Sequence, residues 1–255
     1  MYQDRDFYIK PIETVRADIE ESMHYRFKRV FLCDADALIA PQAYLEEVLS
    51  LIQEKMLSVE RVGIYGDCRS ILKKTPKELA RLKELGLGVI YHGIESGDDK
   101  VLKKIKKGAT AQQSIDAGLR VRDAGIVYSA IVLLGIAGRD GSENHAVETA
   151  RVLNAIQPDF VGVLTTMVVE DTPLYKLAER GKFKMPSSMG LLEELKTLLE
   201  HLELQRGLLT SKHASNYLPL RVVFPYQRKD AIHQLEDVLA KQDETLLKPE
   251  FLREL

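Results

Sequence analysis

Short apolar runs alternate with amphipathic stretches along the first 180 residues. The runs have the length and composition of buried strands: Arg29–Cys33, Arg61–Tyr65, Val89–His92, Ile126–Leu134 and Phe160–Leu164. The stretches between them have helical periodicity and typical capping residues: Pro11–Tyr25, Pro41–Met56, Thr75–Gly86, Thr110–Ala124, Ser142–Ile156 and Pro173–Arg180. Because each strand–helix unit takes roughly 30 residues, the pattern predicts a parallel sheet with helical crossovers.

Polar side chains or glycine follow nearly every predicted strand. They are Asp34 and Asp36, Asp67, Glu95 and Ser96, Gly135, Thr165 and Thr166. A doubly wound sheet gathers its ligand residues at one switch point, whereas a barrel places every strand end around one central site. The wide spread therefore favours a barrel. Five strand–helix units are too few to close eight strands, so the predicted barrel is partial.

The pattern changes after Pro186. Ser187–Thr210 is predicted to form one long leucine-rich helix, Leu220–Phe224 a strand, and Arg228–Lys241 a further helix. No Gly/Ser-rich linker separates this part from the rest. The sequence therefore predicts a partial barrel over residues 1–186 and a helical C-terminal extension, residues 187–255, packed on it.

Composition narrows the classes of protein that fit. The chain has 255 residues, of which 45% are hydrophobic, enough for one large α/β domain. A net charge of −2 gives no strong signal for nucleic acid or membranes. The first residues lack a signal-peptide core, and the longest apolar stretch, Ile126–Ala137, is too short to span a bilayer. Two cysteines make no disulfide framework. A soluble cytoplasmic protein is predicted.

Residues 89–110 carry the most informative chemistry. An apolar strand leads into a turn with Glu95 and Ser96, and then into a short basic helix ending at Lys106-Lys107-Gly108. A carboxylate and a hydroxyl at the end of a strand are typical of ligand sites in α/β enzymes. Glycine, serine and aspartate are also ordinary turn residues, so spacing alone leaves a solvated turn equally open.

The stretch HGIESGDDKVLKKIKKGAT resembles the fourth-strand segment of radical S-adenosylmethionine (radical SAM) enzymes, in the style of the methylthiotransferase, Elongator-type and coproporphyrinogen-dehydrogenase-like branches. FLCDADALIAP, IVLLGIAGRD and FVGVLTTMVVEDTPLY fall in order at the second, fifth and sixth strands of that superfamily. SKHASNYLPL resembles the C-terminal part of an uncharacterised subgroup. The resemblance covers nearly the whole chain and implies a partial (β/α)6 TIM-like barrel, here with the first strand missing.

The resemblance also implies cofactors. Members bind S-adenosylmethionine and a [4Fe–4S] cluster held by a Cys-x-x-x-Cys-x-x-Cys loop, and an external electron donor drives formation of a 5′-deoxyadenosyl radical. This chain has no such triplet, and Met1–Arg5 resembles the stretch that follows the third cysteine. We therefore expect that strand one and the cluster ligands lie upstream of Met1, or, as the alternative, that the natural protein has lost its cluster. The cluster is expected only with those cysteines, and the chain alone is expected to be inactive.

Two cysteines offer an alternative set of metal ligands. Cys33 and Cys68 both follow predicted strands, and His92 and His145 are candidates to join them. Thiols in two separate loops make a poor cluster scaffold, and free cysteines of this kind are usually half-buried core residues. No metal site is therefore predicted from this chain.

Site residues follow from the resemblance. Glu95 and Ser96 correspond to positions that contact the ribose hydroxyls, where a carboxylate accepts charge-assisted hydrogen bonds. Lys107 corresponds to a basic position near the methionine carboxylate, although a solvated basic run explains it as well. Asp34 and Asp36 occupy the place of the Gly-Gly-Glu-Pro motif that binds the methionine amino group; the motif itself is absent, and Asp36 is the residue assigned to that ammonium. The alternative role of Asp36 is to cap the following turn.

The adenine motif of the fifth strand is matched loosely by Ile131, Leu133, Gly135 and Gly138. Leu133 and Gly135 are assigned to the adenine, since apolar side chains pack its face and glycine allows close backbone approach. Ile131 is better explained as sheet core.

Residues of the sixth strand and the extension complete the predicted site. Thr165 and Thr166 are expected to border the adenine through backbone groups. His213, Ser215 and Asn216 either face the substrate or satisfy buried backbone groups.

Three functions fit these observations. The first is most of a radical SAM core, an Fe–S oxidoreductase or transferase of unknown substrate. The second is a cluster-free module that binds an adenosyl ligand or regulates another protein. The third is an α/β enzyme of another class, for which the sequence offers no convincing Schiff-base lysine, catalytic triad or zinc motif.

Overall fold

A computed structural model describes residues 8–253 and confirms the predicted α/β class. Its strands are β1 (Arg29–Leu32), β2 (Arg61–Tyr65), β3 (Leu87–Glu95), β4 (Val127–Leu134), β5 (Phe160–Thr165), β6 (Leu208–Thr210) and β7 (Arg221–Val223). They are hydrogen-bonded in the order in which they occur along the chain. The pairs β1–β2, β2–β3 and β4–β5 are parallel, as predicted. Strand β6 pairs parallel with β5 and antiparallel with β7.

Helices connect the strands. They are α1 (Ile12–Ser22), α2 (Gln42–Lys55), α3 (Cys68–Lys73), α4 (Pro76–Glu84), α5 (Asp99–Lys104), α6 (Ala111–Asp123), α7 (Ser142–Ile156), α8 (Pro173–Glu179), α9 (Ser188–His201) and α10 (Arg228–Lys241). No helix of residues 8–253 combines the length and the apolar composition that crossing a bilayer requires.

Contacts divide the chain into two compact units. The first contains the described residues up to Tyr91 together with Arg120–Val127. Helices α2 and α4 bury their apolar faces in this unit, and its almost completely buried side chains include Leu38, Leu49, Ile52, Ile64, Ile71, Leu79 and Leu82. Helix α4 begins with a capping box, in which Thr75 and Glu78 satisfy each other's backbone N–H groups.

The second unit contains His92–Leu119 and the described residues from Tyr128 onward. Its core lies between β4, β5 and helices α7 and α9. Its fully buried side chains include Ile94, Tyr128, Val161, Val163, Leu153 and Leu199. The division into residues 1–186 and 187–255 proposed from the sequence stays a prediction.

The predicted helix over Ser187–Thr210 is wrong in its second half. Helix α9 ends at His201, and Leu208–Thr210 instead forms β6, paired with β5. Gly207 separates the two elements with a φ of 108°, a left-handed conformation that no helix continues through. The buried side chains of Leu204 and Leu209 maintain the apolar pattern across this break. The pattern alone therefore does not reveal it.

Smaller corrections concern the ends of elements. The short helix Cys68–Lys73 was not predicted; the Asp67 carboxylate caps it by accepting from the N–H groups of Arg69 and Ser70. Helix α5 ends at Lys104, before the predicted Lys106–Gly108, because Lys106 adopts a φ of 57°. Ser142, which the sequence predicts to be the N-cap of α7, is its first helical residue; the N-cap is Gly141.

Candidate functional site

Glu95 is the last residue of β3, and its backbone is strained. Its φ is 64°, an uncommon left-handed conformation for a residue with a side chain, and such strain concentrates at functional sites. Its carboxylate accepts a hydrogen bond from Lys107 Nζ at 3.0 Å, and each of the two side chains is 21% exposed. A charged pair at the carboxyl end of a parallel strand is thus partly shielded but accessible.

Gly93 provides the space for this pair. A methyl group on Gly93 would lie 2.3 Å from Glu95 Oε1 and 3.3 Å from Lys107 Nζ. The carboxylate therefore folds back over the strand backbone, and only glycine allows it to do so. The position two residues before Glu95 is part of the site for this reason.

Ser96 is fully buried and holds the turn that follows. Its Oγ accepts from the N–H of Asp98 at 3.0 Å and lies 2.8 Å from His145 Nδ1. His145 Nε2 lies 3.1 Å from the carbonyl oxygen of Leu133. These distances fit a neutral imidazole that accepts from Ser96 and donates to Leu133, and burial lowers the pKa of His145 to about 4.

Glu194, a buried carboxyl group on α9, extends this network. It accepts from the N–H of Gly135 at 2.8 Å and from the hydroxyl of Ser142, and it lies 3.5 Å from His145 Nε2. Burial raises its pKa to about 7, although both hydrogen bonds act in the opposite direction. The ends of β3 and β4 are therefore fixed by one continuous set of hydrogen bonds.

The pH dependence of folding gives a test of this network. A carboxyl group whose folded-state pKa is raised contributes stability fully below its unfolded-state value of 4.5, and loses it as the pH rises through about 7. His145 acts oppositely, because its lowered pKa makes stability fall as the pH drops from 6.5 through about 4. The two contributions largely cancel between these values.

Replacing Glu194 by glutamine should remove one side of this balance. The amide can still accept from Gly135 and donate to Ser142, so the fold is retained. The free energy of unfolding of the variant minus that of the parent protein should increase by about 2 kcal/mol as the pH rises from about 5 to about 7.5. The reason is that only the parent loses stability when the Glu194 carboxyl ionises. Urea unfolding at several pH values measures this, with the exposed neighbour Glu193→Gln as control. If the difference in free energy of unfolding between Glu194→Gln and the parent does not change with pH, the raised pKa of Glu194 is contradicted.

Thr165 and Thr166 end β5 in different ways. Thr165 donates its N–H to Ser215 Oγ at 3.0 Å and its hydroxyl to Asn216 Oδ1 at 2.8 Å. Asn216 in turn donates to the carbonyl oxygens of Val163 and Ser211. Ser215 and Asn216 thus satisfy buried polar groups, the second of the two roles expected from the sequence.

Thr166 retains an unused hydroxyl. Its N–H donates to the carbonyl oxygen of Leu134 at 2.9 Å, which places it beside the end of β4. Thr166 is 7% exposed, and its Oγ1 has no hydrogen-bond partner among the residues that the structure describes. Such a buried orphan atom at a strand end is typical of a position that a ligand completes.

Gly135 is packed against protein atoms. Its φ is 76°, and a methyl group there would lie 2.5 Å from Met185 Cε and 2.9 Å from Leu191 Cδ2. Leu133 is partly buried on β4, and its backbone carbonyl accepts from His145. The space beside Gly135 that was expected to admit the adenine is therefore occupied, in the described chain, by the side chains of Met185 and Leu191.

Asp36 belongs to the first unit, and the other predicted site residues belong to the second. Its carboxylate accepts from the N–H of Asp67 at 3.0 Å and from the hydroxyl of Ser70. It makes no side-chain cap to the short 3₁₀ helix that follows. Asp36 therefore joins the loops after β1 and β2, and the capping alternative is not what the structure shows.

The residues present do not form a cluster site. Cys33 is exposed and Cys68 is buried, and no group of three or more His, Cys, Asp or Glu side chains within residues 8–253 could hold a metal ion. A [4Fe–4S] cluster of the expected type needs three thiolates. The segment Met1–Arg5, used in the sequence argument about the cluster loop, lies outside the described residues.

The structure thus brings Glu95 together with Lys107, Ser96 with Leu133 through His145, and Thr166 with the end of β4. Glu194 was missed as a site residue because its partner Gly135 is 59 residues away. One signal was present, namely a glutamate on the apolar face of α9, where Leu191, Leu195 and Leu198 are buried.

Several known proteins are similar to this chain in sequence or in fold. The family model described as the radical SAM superfamily matches residues 2–153. The chain is 28% identical over 109 residues to tRNA uridine(34) acetyltransferase of Methanocaldococcus infernus, which covers 42% of this chain and 20% of that protein. The chain therefore spans about a fifth of the length of this relative.

Solved structures confirm the barrel-type fold. Archaeal Elp3 of Methanocaldococcus infernus, with an N-terminal deletion, superposes with a TM-score of 0.58 at 16% identity, covering 90% of this chain and 58% of that one. Methylornithine synthase (PylB) superposes with a TM-score of 0.58 at 17% identity, covering 96% and 78% of the two chains. At these identities the similarity concerns the fold alone.

Proposed function

The chain belongs to the radical SAM superfamily, and from this premise we propose that its second unit binds the adenosyl part of S-adenosylmethionine at the carboxyl ends of β3, β4 and β5. Proteins of this superfamily use S-adenosylmethionine together with a [4Fe–4S] cluster. The observation that carries the proposal is the strained, accessible Glu95 carboxylate, held over Gly93 by Lys107.

Glu95 is assigned to the ribose hydroxyls. A carboxylate accepts two hydroxyl hydrogen bonds, and Lys107 already holds one of its oxygens without burying the group completely. In this assignment Lys107 fixes the direction of the carboxylate, in addition to its expected approach to the methionine carboxylate.

Ser96 is assigned to positioning. Because its hydroxyl is used by His145 and by Asp98, its contribution is to fix the backbone conformation of the Glu95 turn. Leu133 and Gly135 are held by the same network. Leu133 is the proposed adenine wall, whereas Met185 and Leu191 already pack against Gly135.

Thr166 gives the proposal a second observation in this part of the chain. Its orphan hydroxyl suits a polar atom of the adenosyl group, and a bound ligand would remove the cost of burying it unpaired. Thr165 stays in the proposal as a backbone contributor, since its side chain is held by Asn216. Asp36 belongs to the first unit, and its assignment to the methionine amino group stays a prediction from the sequence.

Radical chemistry of the superfamily type requires three cysteine thiolates in one loop, and these 255 residues contain two cysteines in separate segments. Cys33 and Cys68 are the two cysteines present, so we propose that the cluster ligands come from outside this sequence, with an external electron donor. No catalytic step is assigned to residues of this chain. The substrate of the reaction is not specified by the fold, because this fold serves many chemistries.

Incubation with iron and sulfide under anaerobic conditions tests the cluster part of the proposal. The chain as given should fail to retain a stoichiometric [4Fe–4S] cluster, because two cysteines cannot replace three ligands of one loop. Iron analysis and the visible absorption spectrum measure the result. Four irons bound per chain, with a matching spectrum, would overturn this part.

Calorimetric titration with S-adenosylhomocysteine tests the adenosyl site without any need for the cluster. The parent chain should bind, and Gly93→Ala should weaken binding by roughly tenfold, because its methyl group displaces the Glu95 carboxylate. The atoms it meets are the ends of flexible side chains, so the fold should persist.

Gly162→Ala on β5 is the matched control for this titration. Its methyl group would meet its nearest atoms at 3.8 Å, an ordinary contact distance. Its affinity should remain that of the parent chain. Absence of binding to the parent chain at millimolar ligand, or equal losses in both variants, would reject the adenosyl site.

A further inference from the structure

A small basic cavity lies in the second unit, next to the loop that follows β4. Its volume is about 280 Å³, and its walls come from the loop Ala137–Asp140, from the segment Gly181–Lys184 after α8, and from Lys104 on α5. Nothing in the proposed adenosyl site uses these residues.

The walls of the cavity are fixed by backbone contacts. The N–H of Arg139 donates to the carbonyl oxygen of Lys184 at 2.7 Å, which joins the two segments. Gly138, with a φ of 76°, lies so close that a methyl group on it would meet both Lys184 O and the Phe183 ring at 3.3 Å. Phe183 is 4% exposed, and Lys104 Nζ lies 5.8 Å from its ring centroid. The aromatic ring therefore helps to hold that ammonium group at the cavity.

The charge of the lining is strongly positive. Four cations surround the cavity, Lys104, Arg139, Lys182 and Lys184, against the single carboxylate of Asp140, which is paired with Arg139 at 3.3 Å. Among residues 8–253, no carboxylate lies within 4.0 Å of the other three ammonium groups. The chain as a whole carries a charge of −2, so this concentration of positive charge is local.

The size of the cavity indicates what it accommodates. Drug-sized ligands occupy roughly 300–1,000 Å³, so a cavity of 280 Å³ suits one or two charged groups of a larger molecule. Several separate cations match the multiple oxygens and the double charge of phosphate better than a single carboxylate. The cavity begins two residues after Gly135, on the loop proposed to face the adenine.

We propose that this cavity binds a phosphate group of the substrate, so that the substrate class is phosphate-bearing. That the bound phosphate belongs to the substrate rests on the proposed function. That the cavity binds phosphate does not depend on the proposed function. The group comes either from a small phosphorylated molecule or from the backbone of a nucleic acid, and the two sources are distinguishable by experiment.

Inorganic pyrophosphate is the first probe, titrated calorimetrically at low ionic strength. The parent chain should bind it, and the double variant K182Q/K184Q should bind about tenfold more weakly, because two of the cations are neutralised. The matched control is K229Q/K241Q, which removes the same charge from exposed positions on α10. The control should stay within about twofold of the parent chain.

A single-stranded RNA without a terminal phosphate is the second probe. If it binds, and K182Q/K184Q lowers the slope of log affinity against log salt by about 1.4, the phosphate belongs to a nucleic-acid backbone. If pyrophosphate alone responds to the variant, the phosphate belongs to a small molecule. Failure of both probes to bind, or an equal loss in the control, would overturn the proposal.

The same variants separate this proposal from the adenosyl site. K182Q/K184Q should keep the parent affinity for S-adenosylhomocysteine, because neither lysine contacts Glu95 or Thr166. If the parent chain does not bind S-adenosylhomocysteine, the adenosyl site is rejected and the phosphate result is unaffected. A parallel loss of both ligands in K182Q/K184Q would count against a separate subsite.

Discussion

Replacing Glu95 by glutamine is expected to weaken binding of S-adenosylhomocysteine by about 10- to 100-fold, which is the range for hydrogen bonds that lose an ionised acceptor. The carboxylate is the accessible anionic group at the end of β3, and its strained φ of 64° holds it over Gly93. Glutamine keeps the length of the side chain and leaves the backbone strain nearly unchanged. The loss therefore reports the charge and not the fold.

The control for this prediction is Glu236→Gln, an exposed carboxylate on α10 with the same change in net charge. It should bind the ligand as the parent chain does, because long-range charge effects are screened by salt. A second variant, Lys107→Gln, should give a smaller loss, since Lys107 acts by aiming the carboxylate. Equal affinity of Glu95→Gln and the parent chain would remove Glu95 from the site.

The fold was largely predictable from the sequence because its local signals agree with each other. Strand β2 and helices α7 and α10 begin and end at the predicted residues, because their apolar periodicity stops there. The long leucine-rich helix failed for a physical reason. Leucines on both sides of Gly207 keep the same pattern, while the free edge of β5 recruits Leu208–Thr210 as a strand.

The site was predictable only where it follows from strand ends. Glu95 and Thr166 were chosen because they follow apolar runs; in the structure Glu95 is the last residue of β3 and Thr166 directly follows β5. The supporting network was not predictable, because Glu194 meets Gly135 across 59 residues and His145 meets Ser96 across 49. Contacts at such separations depend on tertiary packing, which periodicity along a single sequence does not encode.

The second large effect is expected on stability, from replacing Gly97 by alanine. Gly97 is buried directly after Ser96, and its N–H donates to Thr149 Oγ1 at 2.9 Å. A methyl group there would lie 2.1 Å from the carbonyl oxygen of Glu148 and 2.6 Å from the Cα of Thr149. These are backbone atoms of α7 and cannot rotate away, so the turn and the helix must separate.

We expect Gly97→Ala to lower the free energy of unfolding by about 3 kcal/mol or more, at the upper end of the range for overpacked positions. Urea unfolding at constant pH measures the change, with Gly162→Ala, whose methyl group has room, as the control. Because the turn carries Ser96, the variant should also lose S-adenosylhomocysteine affinity at temperatures where it is folded. A loss of stability below about 1 kcal/mol would show that the turn and α7 are not packed as tightly as described.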